Sequence, residues 1–229
     1  MNRRILSLLL CVLLVSLAAA VPAEAFQGTH PLTDRRIAPV MGAAGADWLD
    51  RPEREREENP EGALDAIGIR PGMTVADIGA GTGYFSMRMA RRVGPNGKVY
   101  ANDLQPEMLR MLRQNADGAG LRNIELVQGE VADPRLPAGQ MDLVLLVDVY
   151  HEFSQPQLML RKIREALKAD GRLVLLEYRK EDPSVPIRPE HKMSVAEVRT
   201  ELAAEGFILT RVIDTLPRQH ILILTKSTN

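Results

Sequence analysis

The sequence predicts an α/β fold: a doubly wound, seven-stranded, mostly parallel sheet with one antiparallel strand near the C-terminus. Two observations carry this. From Pro60 onward, short apolar strand-like runs alternate with helical stretches, the rhythm of units whose strands pair in parallel. Near the end the rhythm breaks: "FILTRVI" (207–213) and "HILILTK" (220–226) are too close for a helical crossover, so they pair antiparallel. With 229 residues, 45% of them hydrophobic, the chain can bury one domain core.

The elements follow in order. Pro71-Gly72 signals a turn, and "MTVADIG" (73–79) reads as the first, buried strand. A helix runs from about Gly83 to Arg92, and Pro95-Asn96-Gly97 turns the chain into the second strand, "KVYAND" (98–103). Pro106 suits the first position of a helix that runs to about Ala116. "IELVQ" (124–128) is the third strand and "MDLVLLVDV" (141–149) the fourth. The next helix starts near Pro156 and stops at Asp170-Gly171, ahead of the strand "RLVLLEY" (172–178). Ser194 and Glu197 form a capping box, and Gly206 ends that helix.

The first 25 residues read as a cleaved export signal: Arg3 and Arg4, a Leu-rich run from Ile5 to Ala20, then Ala23-Glu24-Ala25 in a small-x-small cleavage pattern. Cleavage after Ala25 implies an exported, periplasmic protein beginning at Phe26. The apolar run is shorter than the roughly 20 residues of a membrane span, so no stable span is expected after cleavage. Cleavage also removes Cys11, the only cysteine. Disulfides, thiolate zinc sites and a cysteine nucleophile are thereby excluded, and no metal site is expected. Residues 26–60 read as an N-terminal extension and candidate lid, leaving 61–229 as the domain proper. "RPEREREENP" (51–60) reads as a short solvated helix. Trp48, the sole tryptophan, either anchors the extension or covers a pocket. A net charge of −1 with both signs interspersed argues against a nucleic-acid partner. Nothing in the chain sets an oligomeric state.

In "VADIGAGTGYF" (75–85), Gly79, Gly81 and Gly83 follow the first strand directly. Ligands of such sheets bind beyond the carboxyl ends of the strands, where strand order reverses. Glycines there let the backbone approach a ligand, and the next helix offers free N–H groups to an anionic end. Asp103 ends the second strand 20 residues after Gly83, where a carboxylate can accept from both hydroxyls of a ribose. Nicotinamide enzymes share that pair, but here the spacing is G-x-G-x-G rather than G-x-G-x-x-G. A dinucleotide domain also does not normally finish in a reversed hairpin strand.

"VADIGAGTGYFS", "VYANDLQPEML", "VQGEVADPRLP" and "MDLVLLVDVYHEF" resemble the successive motifs of class I S-adenosylmethionine-dependent methyltransferases, from about residue 61 to 225. More weakly, they resemble the small-molecule members, including those of quinone biosynthesis. The resemblance implies a Rossmann-like fold and S-adenosyl-L-methionine as cofactor. It implies that Asp77, Gly79, Gly81 and Gly83 surround the methionine portion. Asp103 would hold the ribose and Leu104 the adenine. Glu130 and Val131 would lie in the adenine segment, with Asp133 as a competing candidate, and Asp148 would face the methionine end. Glu130 departs from the family pattern, in which aspartate is commoner.

Methyl transfer from a sulfonium is an in-line displacement from an activated donor, so alignment is the main task, supplying roughly 7–11 kcal/mol of the barrier. A base is needed only where the acceptor must lose a proton. Tyr150, His151 and Glu152 directly follow the fourth strand and are the catalytic candidates. His151 is the best base, with an ordinary pKa of about 6.5; the alternative is that His151 or Glu152 only caps or orients the turn. Tyr178 and His191 could shape the acceptor pocket. The chain has no N-P-P-Y-like segment of the kind used by exocyclic-amine DNA methyltransferases. A small organic molecule is the leading acceptor, with a protein side chain behind it. The runner-up function is a non-catalytic module that binds S-adenosylmethionine or a related nucleoside.

Overall fold

A computed structural model describes residues 28–227; the stretch read above as an export signal, with Cys11, and Phe26 lie outside the described residues. Three short helices come first: α1 (Ala46–Leu49), α2 (Arg54–Glu58) and α3 (Pro60–Ile67). They are followed by β1 (Thr74–Ile78), α4 (Tyr84–Val93), β2 (Lys98–Asp103), α5 (Pro106–Gly118), β3 (Ile124–Gln128) and β4 (Met141–Val147). The chain continues through α6 (Pro156–Ala166), β5 (Leu167–Arg179), β6 (Lys192–Met193), α7 (Val195–Ala203), β7 (Phe207–Ile213) and β8 (Gln219–Lys226).

The sheet order is β3-β2-β1-β4-β5-β8-β7. β1 to β5 pair in parallel, and β8 is antiparallel to both β5 and β7, so β8 alone runs against the rest. This is the predicted Rossmann-like sheet with its reversed strand. It has one unpredicted addition, the two-residue β6, which pairs with Tyr178 and Arg179 of β5 just past the end of the β4 ladder.

The central strands are apolar on both faces because helices cover both. Successive strand residues point to opposite sides. Leu143 and Leu145 of β4 pack with Leu64 of α3, Met89 of α4 and Leu112 of α5. Val144 and Leu146 pack with Leu160 and Ile163 of α6 and Leu202 of α7. All of these side chains are fully buried, each contributing roughly 1.5–3 kcal/mol relative to exposure.

Two expectations are corrected here. The helix before the fifth strand stops at Ala166, not at Asp170-Gly171. Leu167 is buried and pairs with Met141, so extended chain starts there. The turn-like Asp170-Gly171 falls where the β4–β5 register shifts between Met141 and Leu143. The charge run 51–60 does form a short helix, but not a solvated one: Arg54 and Glu58 are buried, joined at 2.7 Å. Tyr178 donates to Glu58 at 3.1 Å and so ties this helix to the end of β5. The capping box stands as predicted, Ser194 and Glu197 each accepting from the other's backbone, and Gly206 (φ +78°) turns the chain into β7. Among the described residues, no helix is long and apolar enough to cross a membrane.

Candidate active site

The strand order reverses between β1 and β4, and a cavity of about 510 Å³ opens at their carboxyl ends. That volume lies within the range of small-ligand sites, about 300–1,000 Å³. Residues of the N-terminal extension form part of its wall. Trp48 and Leu49 line it, with Trp48 half exposed under the Arg51 guanidinium, 3.8 Å from the ring centre. Trp48 therefore covers a pocket rather than serving only as an anchor.

The glycine loop forms the floor. Gly79 sits at φ +72°, and a Cβ there would come within 2.5 Å of Val149. Gly83 sits at φ +95°, and a Cβ there would come within 2.7 Å of Leu112. Both positions need left-handed backbone and the space a side chain would fill. Gly81 donates its N–H to Asp103 Oδ2 at 2.9 Å, and Gln105 donates its N–H to Oδ1 at 2.9 Å. Asp103 thus knits the loops after β1 and β2 together while lining the cavity, each oxygen keeping a lone pair for a ligand. Burial pushes its carboxyl up, against the backbone N–H groups that hold it down. Asp77, at the end of β1, is buried and accepts from the Ser86 hydroxyl at 2.6 Å; burial raises it to about 6 despite that bond.

Leu104 and Val131 are part-exposed at one end of the cavity, beside Met108. Glu130 and Asp133 are not brought to the wall. Glu130 pairs with Arg135, and Asp133 Oδ1 accepts from the Arg135 N–H at 2.7 Å. They close a surface turn, joined by an isolated bridge. Asp148 lines the cavity at the end of β4 with φ +52°, a left-handed backbone that aspartate adopts more readily than most side chains. Its Oδ2 accepts from Gln219 at 2.7 Å, while its buried Oδ1 has no hydrogen-bond partner among the described residues. Burial and the nearby Glu58 and Glu177 carboxylates raise Asp148 well above the usual carboxylate range.

At the other end stands His151. It lies in a one-turn helix, Tyr150–Glu152, directly after β4. Its Nδ1 lies 2.6 Å from Glu177 Oε2, and Glu177 also accepts the Tyr150 N–H at 3.0 Å. Burial disfavours the imidazolium, yet the Glu177 charge and hydrogen bond outweigh it and hold His151 above its ordinary value. Nε2 lies 3.2 Å from His191 Nδ1, and burial followed by the His151 charge lowers His191. Glu152 lines the cavity too, raised by burial to about 7.

Tyr150 does not reach the cavity. It is fully buried, its hydroxyl donating to Glu201 at 2.8 Å on the far side of the turn, so its part is to hold the turn. Sequence reasoning missed Glu177, although a lone acid in the apolar run "RLVLLEY" was a usable signal. It also missed Glu58 and Gln219, which no local pattern marks.

The geometry suits S-adenosylmethionine. The Asp103 carboxylate lines the cavity among apolar residues, and Asp148, whose buried Oδ1 has no hydrogen-bond partner among the described residues, lines it too. A family model described as a methyltransferase domain matches residues 69–214. The ubiquinone/menaquinone biosynthesis C-methyltransferase of Escherichia fergusonii is 32% identical over 118 residues, 51% of this chain and 47% of that protein. The protein of the same name from Salmonella arizonae matches to the same extent. The chain thus spans about half the length of the curated relatives it matches. The crystal structure of an S-adenosylmethionine-dependent methyltransferase from Aquifex aeolicus superposes with a TM-score of 0.77 at 29% identity, covering 81% of this chain and 98% of the other. A TehB-like methyltransferase from Corynebacterium glutamicum shares the fold, with a TM-score of 0.61 at 16% identity over 81% of this chain and all of the other. The chain belongs to the methyltransferase domain family, in its S-adenosylmethionine-dependent class I form.

Proposed function

We propose that the protein methylates a small organic acceptor, with the cofactor seated over the glycine loop and the acceptor between it and His151. The observation that carries this is the single cavity joining Asp103 at one end to the Glu177-held His151 at the other. When bound, S-adenosylmethionine supplies an activated sulfonium methyl group. Asp77 and the glycine loop shape the methionine side, and Asp148 Oδ1 offers an acceptor to its ammonium. Asp103 takes the ribose hydroxyls, and Leu104 and Val131 flank the adenine. Glu130 and Asp133 act only through the turn that presents Val131. His151 Nε2 activates the acceptor, and Glu152 borders the same space. Residues 28–60 roof the cavity and exclude water. The curated relatives are named for quinone biosynthesis, and an oxygenated ring compound of that general kind suits a cavity bounded by Phe153, Ile187 and His151.

Asp103→Ala tests the cofactor site. A charged hydrogen bond contributes roughly 1.5–3 kcal/mol, so the dissociation constant for S-adenosylhomocysteine should rise about 10-fold to 150-fold by calorimetry. The melting temperature should fall by a few degrees, since two backbone N–H groups lose their acceptor. A lower melting temperature with unchanged affinity would leave Asp103 a loop cap only. The wild type should ignore NAD in the same cell.

We propose further that the protein acts outside the cytoplasmic membrane. The support is the Arg-led apolar run ending in Ala23-Glu24-Ala25. N-terminal sequencing of the native protein should read from Phe26; an intact Met1 would remove this reading.

A further inference from the structure

His151, Glu152 and His191 line the cavity together, and each offers one ligand atom within 4.8 Å of the others. We propose that these three residues hold a divalent transition-metal ion, zinc or iron(II) by ligand type, at the acceptor end of the cavity. The first support is the bite. His151 Nε2 and His191 Nδ1 are 3.2 Å apart, their rings crossed at 83°. Two imidazole nitrogens bound to one zinc ion at about 2.0–2.1 Å, in tetrahedral geometry, lie about 3.3–3.4 Å from each other. The pair needs almost no movement to become two ligands.

The second support is the surroundings. Metal-bound histidines almost always donate their other ring N–H to a carboxylate or carbonyl, which fixes the tautomer and turns the ligating lone pair toward the ion. Glu177 does this for His151 at 2.6 Å, and Glu177 is itself held by the Tyr150 N–H. The third is how the fold assembles the set. His151 and Glu152 are adjacent in the turn after β4, whereas His191 is 40 residues further on. The β5–β6 pairing sets Lys192 opposite Tyr178, which brings His191 beside Glu177 and hence beside His151. Two histidines and one carboxylate form the ligand set of open-sited iron(II) and zinc centres, which keep positions free for a substrate. Those positions would face the cavity. An acceptor oxygen, phenolic or enolic, could then become a ligand and lose its proton to solvent. Only that last step rests on the methyl-transfer reading; ion binding stands without it.

The test is titration of the chelator-stripped, full mature protein with zinc by calorimetry and with cobalt(II) by visible absorption. One ion per chain is expected. His191→Ala, in the half-buried one-turn helix Pro189–His191, should weaken binding by at least about 10–100-fold while the protein melts normally. Glu152→Gln should weaken it as well, by about 10-fold or more. Absence of stoichiometric binding, or equal affinity in wild type and both variants, would overturn the proposal. Ion binding without methyl transfer would sustain the site and sink the enzymatic reading. Full turnover after chelation would remove the ion from the reaction.

Discussion

His151→Ala lowers turnover by about 10²–10⁴-fold and leaves S-adenosylhomocysteine affinity within a few-fold of wild type. The size follows from what the side chain does. His151 lines the cavity with Nε2 3.2 Å from His191 Nδ1, and its Nδ1 is held at 2.6 Å by a carboxylate that the fold buries completely. The imidazole is therefore fixed in tautomer and direction before any acceptor arrives. Removing it would take away the acceptor activation proposed above, whether Nε2 accepts the proton itself or holds an ion that makes the proton leave more readily. Asp103, at the end of β2, and the glycine loop after β1, the proposed cofactor contacts, are separate from the turn after β4 and stay in place. Glu177→Gln should reproduce part of the loss, about 10–100-fold, because it disturbs the orienting group and not the acting one. Steady-state kinetics with a working acceptor, alongside calorimetry on the same preparations, separates the two quantities. Near-normal turnover in His151→Ala would reduce this residue to a turn former.

Glu201→Ala should destabilise the protein by about 3–5 kcal/mol, which for a chain of this length is a fall of roughly 6–20 °C in melting temperature. Glu201 lies on α7, fully enclosed. It accepts from Arg35 Nε at 2.8 Å and 3.1 Å on its two oxygens, from Arg35 Nη2 at 2.9 Å, and from the Tyr150 hydroxyl at 2.8 Å. Thr33 donates to it as well, at 2.5 Å. Without the carboxylate, a buried guanidinium and two hydroxyls lose their acceptor, and a stranded buried charge is among the costliest defects a core can carry. The damage should also reach the site. Arg35 Nη1 and the Ala38 N–H both donate to the His151 carbonyl, so this network clamps the N-terminal strap against the Tyr150–Glu152 turn. Limited proteolysis should cut the variant near residues 28–41 before the domain unfolds. A loss below about 1 kcal/mol would mean the strap is held by its apolar contacts instead.

What could be read in the sequence was local or periodic. The strands showed as apolar runs, the crossovers as the lengths between them, and the reversed strand as a gap too short for a helix. Gly79, Gly81, Gly83 and Asp103 were legible because their spacing is imposed by one strand-loop-helix unit and its neighbour. The helix end before β5 was misplaced because Asp170-Gly171 looks like a turn in isolation, and only the β4–β5 register shows it to be an irregularity within a strand. Tyr150 reads as a catalytic candidate because adjacency to His151 is visible in sequence, whereas its bond to Glu201, 51 residues away, is not. Arg54 and Glu58 read as solvated for the same reason: their burial depends on Tyr84 and Tyr178, brought from other elements. Glu177 and His191 come to His151 through the β5 and β6 ladders, a meeting that no local pattern announces.

The central claim is that this chain moves a methyl group from S-adenosylmethionine to a small molecule. Cell-envelope extract incubated with the protein and isotopically methyl-labelled cofactor, then analysed by mass spectrometry, tests it most directly. The account predicts S-adenosylhomocysteine in proportion to one or a few newly labelled small molecules, and neither product with His151→Ala beyond a trace. Cofactor that binds but is recovered intact, with no label in any extract component, would contradict it and leave a binding module of methyltransferase fold.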